Sequence, residues 1–131
     1  MTKKELISIA LEASKNAYAP YSNYRVGCAL LFQNGEIVTG CNVENASYGL
    51  TMCAERTALF NAVSQGYDLA AAKMLAIAAD ASTLVSPCGA CRQVFVELLA
   101  MDLPVIMGNS EKYIETTVGK LMPLSFTGEN L

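Results

Sequence analysis

The 131-residue sequence contains no histidine, so no metal site in it can be completed by an imidazole. Charge is scarce as well: Asp, Glu, Lys and Arg make up 16% of the residues, against a usual value of about 25%. The nine Lys and Arg residues are scattered and the net charge is −3, which argues against a nucleic-acid backbone as partner. Long apolar runs are missing. The longest, residues 69–79, is interrupted by Lys73 and falls short of the ~18 residues needed to span a bilayer, so no membrane partner is expected. The opening Met1-Thr2-Lys3-Lys4-Glu5 lacks the apolar stretch and cleavage site of a secretory signal, and a soluble cytoplasmic protein is expected. In that reducing compartment five cysteines, an odd number, do not read as a disulfide framework.

Apolar side chains, by contrast, are plentiful at 53%, where about 45–50% is usual. A chain of this length buries such side chains around one core, and a single domain over residues 1–131 is expected. With so few charges to cover the surface, part of the apolar excess is expected to be buried between subunits.

Thr2 and Glu5 have the spacing of a capping box, and Leu6, Ala10, Ala13 and Ala17 with Ile7 and Leu11 recur at helical spacing, predicting a helix that ends before Pro20. Residues 26–32 are apolar and extended, Asn34-Gly35 signals a hairpin, and residues 37–43 run back antiparallel. After a polar, turn-rich stretch at 42–52, residues 53–65 read as a helix closed by Gly66, and Met74 to Ala79 as a buried strand. A third helix is predicted from about Cys88 through Leu99, followed by a short strand at 104–107. Helices alternating with strands after an opening hairpin imply an α/β fold with helices on the faces of a mixed sheet.

Two cysteine elements stand at predicted helix starts. Cys88-Gly89-Ala90-Cys91 places two thiols one turn apart, able to chelate one ion, although a C-x-x-C alone equally describes a redox pair or two core cysteines. Cys53, followed by Ala54-Glu55-Arg56, adds a third thiol at another helix N-terminus, where thiolates are stabilised. Three protein ligands with a water in the fourth position describe a catalytic zinc. The alternative is a closed structural site, with Cys28 or Cys41 as the fourth thiolate. Both lie in apolar strands, where cysteine serves as a small hydrophobe. Glu55 lies two residues beyond Cys53, so with Cys53 at the cap it is free to point past the metal and act as general acid and base. Three thiolates around Zn²⁺ sum to −1, and Arg56, three residues after Cys53, is the residue expected to offset that charge, with help from Arg92.

Cys53-Ala54-Glu55 followed by Pro87-Cys88-Gly89-Ala90-Cys91 resembles the zinc-deaminase signature in its all-cysteine form. The match extends to Pro20-Tyr21-Ser22, Val26-Gly27, residues 42–49, Arg56 and Cys91-Arg92-Gln93-Val94, and together these resemble the small homotetrameric cytidine deaminases. The resemblance implies a three-layer α/β/α domain around a five-stranded mixed sheet, with one zinc per subunit. It implies hydrolysis of cytidine and deoxycytidine to the uridine nucleosides and ammonia in pyrimidine salvage. Zinc would activate the water that attacks C4, and Glu55 would move the protons. Asn42 and Glu44 would hold the ribose hydroxyls and the Ala54 backbone the base. Ala46 and Tyr48 would reach a neighbouring subunit's sugar pocket, and Phe126 would pack on a base in another. Tyr24, where phenylalanine is frequent in the family, would keep an aromatic pocket wall. Two rivals remain: a deaminase of another aminopyrimidine nucleoside such as blasticidin S, whose enzyme lacks the carboxylate and arginine matching Glu44 and Arg56, and a non-enzymatic zinc-stabilised interaction domain.

Overall fold

The computed structural model describes all 131 residues. Thr2 opens the first helix, α1 (Lys3–Ser14), by accepting the Glu5 N–H on its hydroxyl at 3.1 Å; the reciprocal bond of a capping box is not formed. The helix stops at Ser14, short of the expected end near Pro20, because the Ser14 hydroxyl turns back to the Leu11 carbonyl and the next residues bond as a tight turn. Strands β1 (Val26–Phe32) and β2 (Ile37–Cys41) form the expected antiparallel hairpin. Its turn is closed by Gly35 N–H on the Phe32 carbonyl, and Gly35 takes the left-handed φ of +88° that this closure requires. β2 ends earlier than the apolar pattern suggests. At Asn42 the side chain takes over the pairing, its amide oxygen accepting Val26 N–H at 2.9 Å and its amide nitrogen donating to the Tyr24 carbonyl at 2.8 Å.

The chain continues through α2 (Ala54–Ser64), β3 (Ala72–Ala79), α3 (Gly89–Leu98), β4 (Pro104–Gly108), β5 (Tyr113–Thr117) and the short α4 (Val118–Leu121). The five strands form one sheet in the order β2-β1-β3-β4-β5, parallel only between β3 and β4, which α3 connects. β5 has no counterpart in the sequence reading. It is an edge strand paired with β4 alone, and without a buried face it lacks an apolar alternation to betray it.

Alternate side chains of the central strands divide the interior into two cores. Cys28, Leu30, Leu75, Ile77 and Val105 face α2 and α3 in the larger one, whereas Ala29, Leu31, Ala76, Ala78 and Ile106 face α1 in the smaller. The result is the expected three-layer α/β/α arrangement. α2 lies unusually close to β2, because a Cβ on Gly40 would approach the Ala58 backbone nitrogen to 2.4 Å. That close seat holds the N-terminus of α2, which carries Cys53, Ala54, Glu55 and Arg56, against the sheet. No helix is long and apolar enough to cross a membrane.

Candidate active site and metal centre

Cys53 is the N-cap of α2 and Cys88 the N-cap of α3, each in extended backbone conformation. Residues at this position usually accept a helix N–H on a side-chain oxygen, but neither thiol makes a capping bond. Both are free to face each other: the Sγ atoms of Cys53 and Cys88 lie 3.9 Å apart and those of Cys88 and Cys91 3.5 Å apart. All three sulfurs fall within 4.8 Å of one another. A tetrahedral Zn²⁺ with Zn–S bonds of ~2.3 Å needs sulfurs roughly 3.8 Å apart, so the cluster is close to the right size without rearrangement. Cys28, fully buried in β1, and Cys41 at the end of β2 lie outside it. The closed structural site with a fourth thiolate therefore has no fourth cysteine to draw on.

Protonation of the trio follows from its crowding. Hydrogen bonding with Cys91, then with Arg56 and Cys88, brings the Cys53 thiol down to about 5, while its contact with Cys53 and its own burial push Cys91 up. The lowered Cys53 thiol favours the thiolate, the form that binds a divalent cation. Arg56 Nη2 donates to Cys53 Sγ at 3.5 Å, and its Nε–H is buried with no partner. An orphaned charged donor beside sulfur fits a centre whose ligands carry a net negative charge.

Arg92 behaves differently. Its guanidinium donates to the Pro87 carbonyl at 2.8 Å, the Leu121 carbonyl at 3.0 Å and the Ser86 hydroxyl at 2.9 Å, and to none of the sulfurs. It bolts the loop before Cys88 to the C-terminal segment instead of serving the thiolates directly. Arg56→Gln is accordingly expected to lower zinc affinity or turnover by roughly 10- to 100-fold, measured by competition with a chelator and by initial rates. Retention of both would mean that Arg56 is only a surface cation.

Beside the sulfurs opens a cavity of ≈ 230 Å³ whose lining includes Tyr24, Asn42, Glu44, Ala54, Glu55 and Cys88. Glu55 is only 4% exposed, and burial above all, with the Cys53 thiolate adding to it, raises its carboxyl to about 6. A carboxyl titrating there can both take up and return a proton near neutrality. Ala54 is the first residue of α2, where helix geometry leaves the N–H without an intrahelical acceptor. Tyr24 forms part of the wall and is 42% exposed.

Asn42 and Glu44 reach this cavity and are also tied to the chain. The Asn42 amide holds the Tyr24–Val26 segment, and one Glu44 oxygen accepts the N–H groups of Tyr21 and Ser22 at 3.0 and 3.1 Å. The other oxygen accepts the Ser22 hydroxyl, which is the main reason the Glu44 carboxyl lies below its ordinary value. An adjoining cavity of ≈ 370 Å³ shares Ser22, Glu44 and Thr51 with the first and adds Tyr21, Asn45 and Tyr48. Ala46 is exposed, and neither it nor Phe126, 59% exposed, lines either cavity. Ser22, Thr51 and Ser86 line the first cavity without having been singled out as site residues. Serines and threonines in a turn-rich sequence carry no periodic signal that would separate them from ordinary turn formers.

The family model described as "Cytidine and deoxycytidylate deaminase zinc-binding region" matches residues 1–107, which include both the Cys53-Ala54-Glu55 and Cys88–Cys91 elements. The chain belongs to this deaminase family. A cytidine deaminase of Halalkalibacterium halodurans is 50% identical over 133 residues, covering 100% of this chain and 98% of that protein. The crystal structure of cytidine deaminase from Burkholderia pseudomallei superimposes with a TM-score of 0.92 at 46% identity, covering 96% of this chain and 100% of the other. A blasticidin-S deaminase of Bacillus cereus is also related, at 33% identity over 94% of this chain and 91% of that protein. The zinc-binding character of the family agrees with the donor set here.

Proposed function

We infer that this chain is a zinc-dependent cytidine deaminase that hydrolyses cytidine and deoxycytidine to uridine and deoxyuridine with release of ammonia. The observation that carries the reading is Glu55, a buried carboxyl raised to about 6 on the wall of a cavity that Cys53 and Cys88 line together with the hydrogen-bonding side chains of Asn42 and Glu44. Cys53, Cys88 and Cys91 would hold one Zn²⁺. When bound there, zinc supplies the Lewis acidity that brings the pKa of a water toward 7. Glu55 would take one proton of the attacking water and deliver it to the ring N3 as the C4–O bond forms, then pass the new hydroxyl's proton to the amino group, so that the C4–N bond breaks and ammonia leaves. The Ala54 backbone would contact the base, and Val26 and Val85 are apolar residues of the cavity wall.

The sugar end is suited to a nucleoside in particular. An amide at Asn42 and a carboxylate at Glu44 complement hydroxyls, which both donate and accept. Across both cavities the only carboxyl side chains are Glu44 and Glu55 and no Lys or Arg lines either one, so a 5′-phosphate would meet repulsion and no cationic partner. Ammonia release from cytidine, deoxycytidine, cytosine, CMP and blasticidin S tests the assignment, with the two nucleosides expected to turn over. Turnover of blasticidin S alone would favour that rival, and no turnover of any would favour the non-enzymatic zinc domain.

Residues 1–131 would act as one deaminase domain in pyrimidine salvage in the cytoplasm, assembled as a homotetramer. Tyr48, Leu50 and Phe126, 79%, 68% and 59% exposed, present apolar surface to solvent. Burial against neighbouring copies accounts for it, with Ala46, Tyr48 and Phe126 completing adjacent pockets. Analytical ultracentrifugation is expected to give a tetramer; a fully active monomer would contradict this.

A further inference from the structure

We propose that Ser22 is a positioning residue that sets affinity for the sugar hydroxyls by fixing the Glu44 carboxylate; the proposal rests on the reading that Glu44 faces the sugar. The Ser22 hydroxyl accepts the Tyr24 N–H at 3.0 Å, which directs its own proton away from that donor and onto the second oxygen of Glu44. The first oxygen is already held by two backbone N–H groups of the same turn, from Tyr21 and Ser22. The Ser22 hydroxyl is the side-chain donor to the second oxygen, and with the two N–H groups on the first it completes the hold on both oxygens against turning about the carboxylate's last bond. Asn23, at a left-handed φ of +56°, shapes the turn so that the hydroxyl and the two N–H groups converge on one carboxylate. The same hydroxyl thereby joins the aromatic wall at Tyr24 to the acid at Glu44, and Ser22 and Glu44 line both adjoining cavities. A carboxylate held on both oxygens presents its remaining lone pairs in one direction, and a substrate hydroxyl does not have to order it on binding.

The test compares cytidine with 2′,3′-dideoxycytidine, which lacks the 2′- and 3′-hydroxyls and keeps the 5′-hydroxyl, in the zinc-loaded enzyme. Ser22→Ala is expected to raise KM for cytidine about tenfold with kcat within about twofold, and to shrink discrimination between the two nucleosides by a similar factor. Ser22→Thr keeps the hydroxyl and should restore discrimination. Ser22→Cys keeps the size but donates weakly. It should also lose discrimination, and it carries the test should the alanine variant fail to fold. In a Glu44→Gln background, Ser22→Ala should add no further loss. A role in turn stability alone would raise KM for both nucleosides equally, and unchanged discrimination in both the Ala and Cys variants overturns the proposal. If Glu44→Gln itself leaves discrimination unchanged, the sugar-pocket reading of Glu44 fails; if Glu44→Gln abolishes it while the Ser22 variants do not, only the role of Ser22 fails.

Discussion

Glu55→Gln is expected to retain the fold and a full complement of zinc while turnover falls by about 10²- to 10⁴-fold, the usual range for removal of a general acid-base group. The substitution is nearly isosteric, and at a position only 4% exposed it leaves packing almost unaltered. What it removes is protonation chemistry, because an amide cannot take up a proton from water and return it to a ring nitrogen. It also removes a carboxyl whose burial holds it near neutrality at about 6. The measurement is kcat from ammonia release, paired with elemental analysis for zinc on the same preparation. Near-wild-type turnover at full zinc content would remove Glu55 from the reaction.

Cys53→Ser and Cys88→Ser are expected to abolish stable zinc binding without weakening the zinc-free fold. Both cysteines are helix N-caps that make no capping bond, and serine is among the preferred residues for that position. The zinc-free variants should therefore melt at or slightly above the temperature of the zinc-free parent, since each gains a hydroxyl able to accept a helix N–H. Zinc affinity should fall by more than the roughly 10- to 100-fold that loss of a supporting contact costs, because a soft anionic ligand is gone. Cys28→Ala and Cys41→Ala supply the contrast and should keep about one zinc per chain. Loss of zinc from either would place that residue among the ligands and revive the closed structural site.

The donor set was legible because its chemistry is local. A thiol at a helix start has a recognisable flank, Gly89 and Ala90 space Cys88 from Cys91 by one turn, and the two-residue offset of Glu55 from Cys53 is intelligible once Cys53 is a cap. The hairpin, both cysteine-led helices and strands β3 and β4 were also readable, since their apolar periodicity survives in the buried faces. Strand β5 was not, because an edge strand with half-exposed residues needs only a partner's backbone groups and no sequence pattern of its own. The dual use of Asn42 and Glu44 was equally hidden: their types suit a sugar and suit a turn, and only the folded chain brings Val26, Tyr21 and Ser22 within reach of them.

The two arginines mark the boundary most clearly. By spacing, Arg56 follows Cys53 by three residues and Arg92 follows Cys88 by four, and either interval lets a guanidinium lie over a cysteine on a helix. Residue types and intervals by themselves determined that thiolates would gather at helix N-termini with a carboxyl and cations nearby. Which cation serves the sulfur was decided by what packs beside each helix. Arg56, on the helix seated against β2, has the Cys53 sulfur at 3.5 Å and no competing acceptor for its Nε. Arg92, on the helix flanked by the C-terminal segment, finds three nearer oxygens from residues as distant in sequence as Leu121. A guanidinium forms the shortest charge-assisted bonds its surroundings offer, and those surroundings exist only after the chain has folded.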